Sequence, residues 1–229
     1  MFAPRTLLGG CALANSKLSR KTRDVCEALA LAYPDAGPAL VFATPFELLV
    51  ATVLSAQCTD KTVNRVTAKL FKKYRTAAEF AVLKPEELAE EIKECGLYRN
   101  KSKHLVAIAK ILTDSHGGAV PRERAALERL PGVGRKTAGV VSGLLYNSGA
   151  LPVDTHVYRI AHRLGLSQAK NPDRVEEDLA RFIPAGQRMT VHHRLLAHGR
   201  QVCAARKPAC SRCVLADYCE FKTTNIERS

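Results

Sequence analysis

No stretch of about 18 consecutive apolar residues, the length needed to cross a bilayer, occurs in the 229-residue chain; the most hydrophobic segment, LVFATPFELLVATVL, is broken by Pro45 and Glu47. A membrane span is thereby excluded as an expectation. The strict apolar/polar alternation of half-buried strands is also missing, which argues against a sheet protein. Near the start, TLLGGCALA is too short and too late for a secretory core, so no secretion signal is expected and the setting read is cytoplasmic. Internal repeats, low-complexity tracts and long linkers are absent. Acidic residues are scarce: 22 Asp+Glu face 35 Lys+Arg, for a net charge of +13. Such a balance favours a polyanionic partner, with nucleic acid the commonest.

The apolar positions that are present recur at helical spacing. In TPFELLVATVLSAQ, Thr44 and Glu47 form a capping-box pattern around Pro45, and Phe46, Leu49, Val50, Val53 and Leu54 share a face. KTVNRVTAKLFKKY repeats the pattern through Val63, Val66, Leu70, Phe71 and Tyr74. Thr76 and Glu79 form a second capping pair. KPEELAEEIKECG predicts a helix from Pro85 to Gly96, and KHLVAIAKILTDSHGG another ending before Gly117. Asn171 reads as the cap of NPDRVEEDLARFIP. Residues Met1 to Arg23 contain Arg5, Lys17, Arg20, Lys21 and Arg23 but no acid, and read as a loosely ordered basic arm.

Cysteine spacing supplies the strongest metal signal. Cys203, Cys210, Cys213 and Cys219 follow C-x6-C-x2-C-x5-C. Four thiolates so close suit one zinc ion or an iron–sulfur cluster, and spacing alone leaves both open.

LPGVGRKTAGVV, residues 130 to 141, half resembles a phosphate loop, but the Walker and dinucleotide glycine patterns both fail and RAALERL before it is helical rather than extended. What remains is helix, tight turn, helix. Gly132, Val133 and Gly134 let the backbone approach a phosphate, and the second helix, opening at Arg135, aims its N–H groups there. Such contacts grip DNA without reading its sequence. Lys136 follows. An ordinary amine, with a pKa of about 10.4, is almost wholly protonated at neutral pH, so a nucleophilic lysine needs neighbours that disfavour its charge; Arg135 and the helix N-terminus are expected to be such neighbours. In LPVDTHVYRI, Asp154 is placed to cap a helix, and also to face Lys136 if the two helix starts converge on one cleft.

Taken together, LSAQCTD, GLYRNKSKH, LPGVGRKTA, VDTHVYR, HHRLLAHGR and the four cysteines resemble the endonuclease III family of bifunctional DNA glycosylases with abasic-site lyase activity, in the helix-hairpin-helix superfamily. The resemblance runs from about Arg23 to about Lys222. It implies an all-α, two-lobed fold: a six-helix barrel over residues 38–148 carrying the hairpin, and an iron–sulfur lobe built from residues 23–37 and 149–229, with residues 1–22 as a basic extension. It selects a [4Fe-4S] cluster for the four thiolates. By the same resemblance Lys136 is the nucleophile and Asp154 the catalytic carboxylate, while Gln57 fills the gap left by an extruded nucleotide. Leu97 wedges the opposite strand, and His156 lies close to the DNA backbone. The implied substrate is double-stranded DNA carrying damaged pyrimidines or abasic sites, and the implied protein a bacterial-type, nucleoid-associated monomer. Two residues depart from the family pattern: Cys58 stands where small residues are usual, and Gly139 stands where TAN is common.

Overall fold

Thr44 stops the chain from running on extended: its hydroxyl accepts the Glu47 N–H at 3.1 Å and starts α2 (Pro45–Leu54) with proline in its first turn. The Glu47 carboxylate bonds back to the Ala43 N–H at 2.6 Å, one residue earlier than in the expected capping box, which lets it lie buried. Every residue from Phe46 to Leu54 is buried. A helix apolar on all sides belongs at the centre of a bundle, and α2 packs against α3 (Asp60–Lys73), α6 (Tyr98–His116) and α8 (Arg135–Tyr146).

The computed structural model describes residues 17–221. Among them the regular elements are α-helices and short 3-10 turns, with no strand. The remaining helices are α1 (Lys17–Ala32), α4 (Ala77–Ala81), α5 (Pro85–Glu91), α7 (Arg124–Glu128), α9 (Thr155–Arg163), α10 (Pro172–Ala180) and α11 (Arg188–Gln201). Thr76 and Glu79 form the expected reciprocal box at the start of α4, with N–H to oxygen distances of 3.3 and 2.8 Å. Asn171 caps α10 through the Asp173 N–H at 2.7 Å.

Three expectations are corrected. The basic arm is helical from Lys17 onward and Thr22 is buried; residues 1–16, with Arg5 and Cys11, lie outside the described residues. The helix expected to reach Gly96 stops at Glu91, because Glu90 and Glu91 crowd its negative end and the Cys95 N–H closes a turn onto the Ile92 carbonyl at 2.8 Å. The next helix starts at Tyr98 rather than Lys103, since Leu97 adopts a left-handed backbone and accepts the Lys101 N–H.

Buried apolar side chains form two clusters. One joins α2 to α8, with Phe46 edge-on to Phe80 at 5.1 Å. The other joins Val25 and Leu29 of α1 to Leu151, Val157, Ile160, Leu179, Val191 and Leu195, so the two ends of the described chain share one core. Where α8 meets α11, Gly143 lies against Met189; a Cβ there would stand 2.5 Å from the methionine sulfur.

Candidate functional site

The turn between α7 and α8 is anchored from below and bare above. Leu130 and Val133 are buried in the first cluster. Gly132 has φ of 73°, and a Cβ on it would overlap His104 Nδ1, so only glycine fits. Gly134 begins α8 without a side-chain cap, which leaves the first-turn amides of that helix available to an external acceptor. Arg135 departs from expectation. Its Nε lies 3.2 Å from both Asp173 and Glu176, so it is not the bare positive neighbour of Lys136 expected from the sequence.

Lys136 and Asp154, 18 positions apart in sequence, line one cavity of about 410 Å³ together with Gln57, Ser55 and His192. Lys136 is exposed in the first turn of α8, and among the described residues no hydrogen bond or ion pair engages its ammonium. Asp154 does cap α9: its Oδ1 accepts the N–H groups of His156 and Val157 at 2.9 and 2.8 Å. Both bonds use one oxygen. Oδ2 is therefore left for the cavity.

His192 is the cavity residue that the sequence did not single out. It is 3% exposed, and its Nδ1 lacks a hydrogen-bond partner among the described residues. Burial, then the adjacent His193, push its pKa down to about 4, and the charges of Asp154 and Lys136 both reach it with opposite effect. The ring is neutral at pH 7. In the unfolded chain it titrates near 6.5, so as the pH falls below 6.5 the unfolded state takes up a proton that the fold refuses, and stability declines down to about pH 4. Denaturation followed between about pH 7 and 4 should show this slope, flattened in His192→Leu.

Glu176 was also missed. Its side chain is 9% exposed, yet it receives Arg124 through two hydrogen bonds of 2.8 and 3.0 Å, Arg135 at 3.2 Å and the Leu151 N–H at 3.1 Å. One carboxylate on α10 thereby ties α7, the start of α8 and the strap leading to Asp154. Its place between Val175 and Leu179, both buried, marks it as an acid on an apolar helical face, which is the signal that could have found it. Gly139 belongs to the same arrangement: a Cβ there would sit 3.3 Å from Arg124 Nη2 and 3.4 Å from Pro152. Substitution of Gly139 by Asn, the residue common in the resembled family, should press Arg124 away from Glu176. The expected loss is about 1–2 kcal/mol in urea denaturation, despite the gain in helix propensity.

Of the other expected DNA contacts, Gln57 lines the cavity while Leu97 and His156 do not. Gln57 is exposed, with φ of 54°. Leu97 is 56% exposed, with φ of 59°, and is not part of the cavity wall. Gly96 brings the Leu97 turn beside the Gln57 turn, since a Cβ on it would lie 3.4 Å from the Gln57 carbonyl oxygen. His156 stands off the cavity wall, with Nδ1 3.1 Å from Arg159 and its ring packed on Gly199.

The four C-terminal cysteines gather beyond α11. Arg163 bonds the Cys203 sulfur at 3.2 Å and the Ala204 and Ala205 carbonyls, while its own carbonyl is 3.4 Å from Cys219 Sγ. His198 Nε2 lies 3.5 Å from Cys213 Sγ, and Tyr33 bonds the other ring nitrogen at 3.0 Å. Burial pushes the Cys213 thiol up, and the sulfurs of Cys203, Cys219 and Cys210 are near enough to add to that push. Ionising all four together therefore needs a cationic centre among them, which an iron–sulfur cluster provides.

Residues 50–185 match the family described as HhH-GPD superfamily base excision DNA repair protein, and residues 203–219 match the iron–sulfur binding domain of endonuclease III. The chain is 45% identical over 183 residues to endonuclease III of Escherichia coli strain K12, covering 80% of this chain and 87% of that one. It is 46% identical over 188 residues to the Bacillus subtilis strain 168 enzyme, covering 82% and 86%. Its fold is similar to that of an endonuclease III solved in a non-covalent complex with DNA: TM-score 0.86, 41% identity, 91% of this chain and 98% of that chain. No helix among the described residues is long and apolar enough to cross a membrane.

Proposed function

Because this chain belongs to the HhH-GPD superfamily of base excision DNA repair proteins and, within it, to the endonuclease III family, we propose that it excises oxidised pyrimidines from duplex DNA and cleaves the resulting abasic site through a lysine Schiff base. The observation that carries the reading is the sharing of one cavity by Lys136 and Asp154, each at the start of a different helix, with Gln57 at the same wall.

The amides of Gly134 and the first turn of α8 hold the DNA backbone, and the net charge of +13 adds attraction that salt weakens. Gln57 and Leu97 occupy the space vacated when the damaged nucleotide turns out of the stack, an extrusion easiest for poorly stacked bases. Lys136, as free amine, attacks C1′ of the sugar and the base departs with the bonding electron pair. Asp154 Oδ2 faces the positive charge that grows on the sugar. The amine and the opened sugar then form a Schiff base, loss of a C2′ proton drives elimination, and the 3′ phosphate leaves. Cys203, Cys210, Cys213 and Cys219 hold the [4Fe-4S] cluster, which contributes folding free energy to a segment with few buried apolar side chains. The functional units are a barrel over 38–148 and a cluster unit of 23–37 with 149–229, working as a monomer in a bacterial cytoplasm.

Asp154→Asn separates capping from catalysis. Asparagine caps a helix about as well as aspartate, so stability should change by no more than about 0.5 kcal/mol. Excision should fall by about 10²-fold for want of the charge. Single-turnover assays on duplexes each carrying one lesion test the substrate class, and equal rates on undamaged pairs would refute it.

A further inference from the structure

Among the described residues only four non-glycine positions have positive φ, and two of them are Gln57 and Leu97, at 54° and 59°. Left-handed backbone at a glutamine and a leucine is costly and persists only where the surroundings enforce it. One residue bonds to both turns. Lys101, in the first turns of α6, is 5% exposed, an unusual state for a lysine. No carboxylate pairs with it among the described residues. Its Nζ instead donates to the Leu54 and Ala56 carbonyls at 2.8 Å each, and its own backbone N–H donates to the Leu97 carbonyl at 3.0 Å. The two carbonyls lie where α2 ends and the chain turns into Gln57, at the negative end of the helix dipole, so a cation is well placed there.

We propose that Lys101 is a positioning residue that locks the Gln57 turn to the Leu97 turn, so that the two side chains enter DNA as one unit. The proposal rests on the reading that Gln57 and Leu97 probe the duplex. A lysine buried without a counter-ion is poorly explained by stability alone, because an apolar side chain of similar length would avoid the desolvation cost. What the ammonium adds is geometry: it ties the carbonyls on either side of Ser55 to the first turn of α6, the turn that the left-handed Leu97 opens. Burial pulls the Lys101 pKa below that of a free lysine, and the nearby Cys95 and Cys58 oppose that shift. Cys58, which follows Gln57, packs against the core cluster that contains Cys95, the residue two before Leu97; the unusual cysteine at 58 therefore lies at the same junction.

Lys101→Met keeps the aliphatic stem and removes the donors. It should slow single-turnover excision of a lesion from duplex DNA by about 10²-fold, the cost of a misplacement of about 1 Å away from the chemistry. Cleavage of a preformed abasic site in single-stranded DNA, which needs neither turn, should stay within about two-fold of wild type. With 2-aminopurine opposite the lesion, the fluorescence rise on binding should disappear. Should Lys101→Met prove too unstable, Lys101→Gln serves, combined with Gln57→Ala and Leu97→Ala: the effects of those two should be non-additive while the lysine is present and additive in the Lys101→Gln background. Normal duplex excision by Lys101→Met, or equal losses on duplex and single strand, overturns the proposal while Gln57→Ala and Leu97→Ala remain impaired. If those two variants excise normally, the duplex-probing reading falls and the proposal with it.

Discussion

Lys136→Ala is expected to abolish the covalent adduct formed with abasic DNA under borohydride and to lower strand cleavage by at least about 10³-fold, with binding to the same DNA weakened far less. The magnitude follows from the role: deleting the atom that bonds to C1′ removes the covalent route, whereas deleting one surface cation removes one contact among many. The structure favours a large effect. The Lys136 ammonium is tied up in no ion pair or hydrogen bond among the described residues and faces the cavity that Asp154 also lines. Arg135 cannot substitute, being held by Glu176 and Asp173. Lys136 adds no buried contact to either core, so unfolding in urea should change by less than about 0.5 kcal/mol. Reduction with borohydride followed by denaturing electrophoresis reads the adduct directly; an adduct of wild-type intensity from Lys136→Ala would eliminate this lysine as the nucleophile.

The largest stability effect is expected at Glu176. Glu176→Ala leaves Arg124 with Glu128 alone, Arg135 with Asp173 alone, and the Leu151 N–H without its acceptor. Removing one member of a buried pair costs about 3–5 kcal/mol; with the Arg124 and Arg135 side chains 23% and 41% exposed, water recovers part of this, and about 3 kcal/mol is the expected loss. The pH dependence gives a second check. Burial pushes the Glu176 carboxyl up, but the hydrogen bonds and charge of Arg124, the Leu151 N–H and Arg135 outweigh it and hold the group below the usual carboxylate range. A carboxyl with a lowered folded pKa contributes its stability above the unfolded value of about 4.3 and loses it as the pH falls through the folded value. The gap between wild type and Glu176→Gln should therefore be full at about pH 7 and shrink below about pH 4.3. Excision should fall as well, since the network aligns the α7–α8 turn with the strap that carries Asp154. A gap that stays constant into acid would show that Glu176 acts by shape and not by charge.

Particular residues show where sequence reading stops. Thr76 with Glu79, Asn171 and Asp154 cap helices as their spacing suggests, because each bond spans two or three residues. Gly132 is forced by its turn. The end of α5 and the start of α6 were misplaced, since Leu97 takes a left-handed backbone that no local preference of leucine suggests and that the packing around Lys101 maintains. Arg135 is expected from the sequence to stand as a bare positive charge beside Lys136; the acids that hold it, at 173 and 176, come from a distant helix.

The chain by itself determined the helical class, the caps, the tight turn before Lys136 and the four-thiol pattern, all of which depend on forces acting within a few residues or on spacing along the backbone. Only the tertiary structure decided that Glu176 would hold Arg124 across 52 positions, that Lys101 would reach the end of α2 across 47, and that His192 would stand neutral beside Lys136 and Asp154. The physical reason is burial. A polar group removed from water must find a partner or shed its charge, and which partner is within reach depends on how the helices pack.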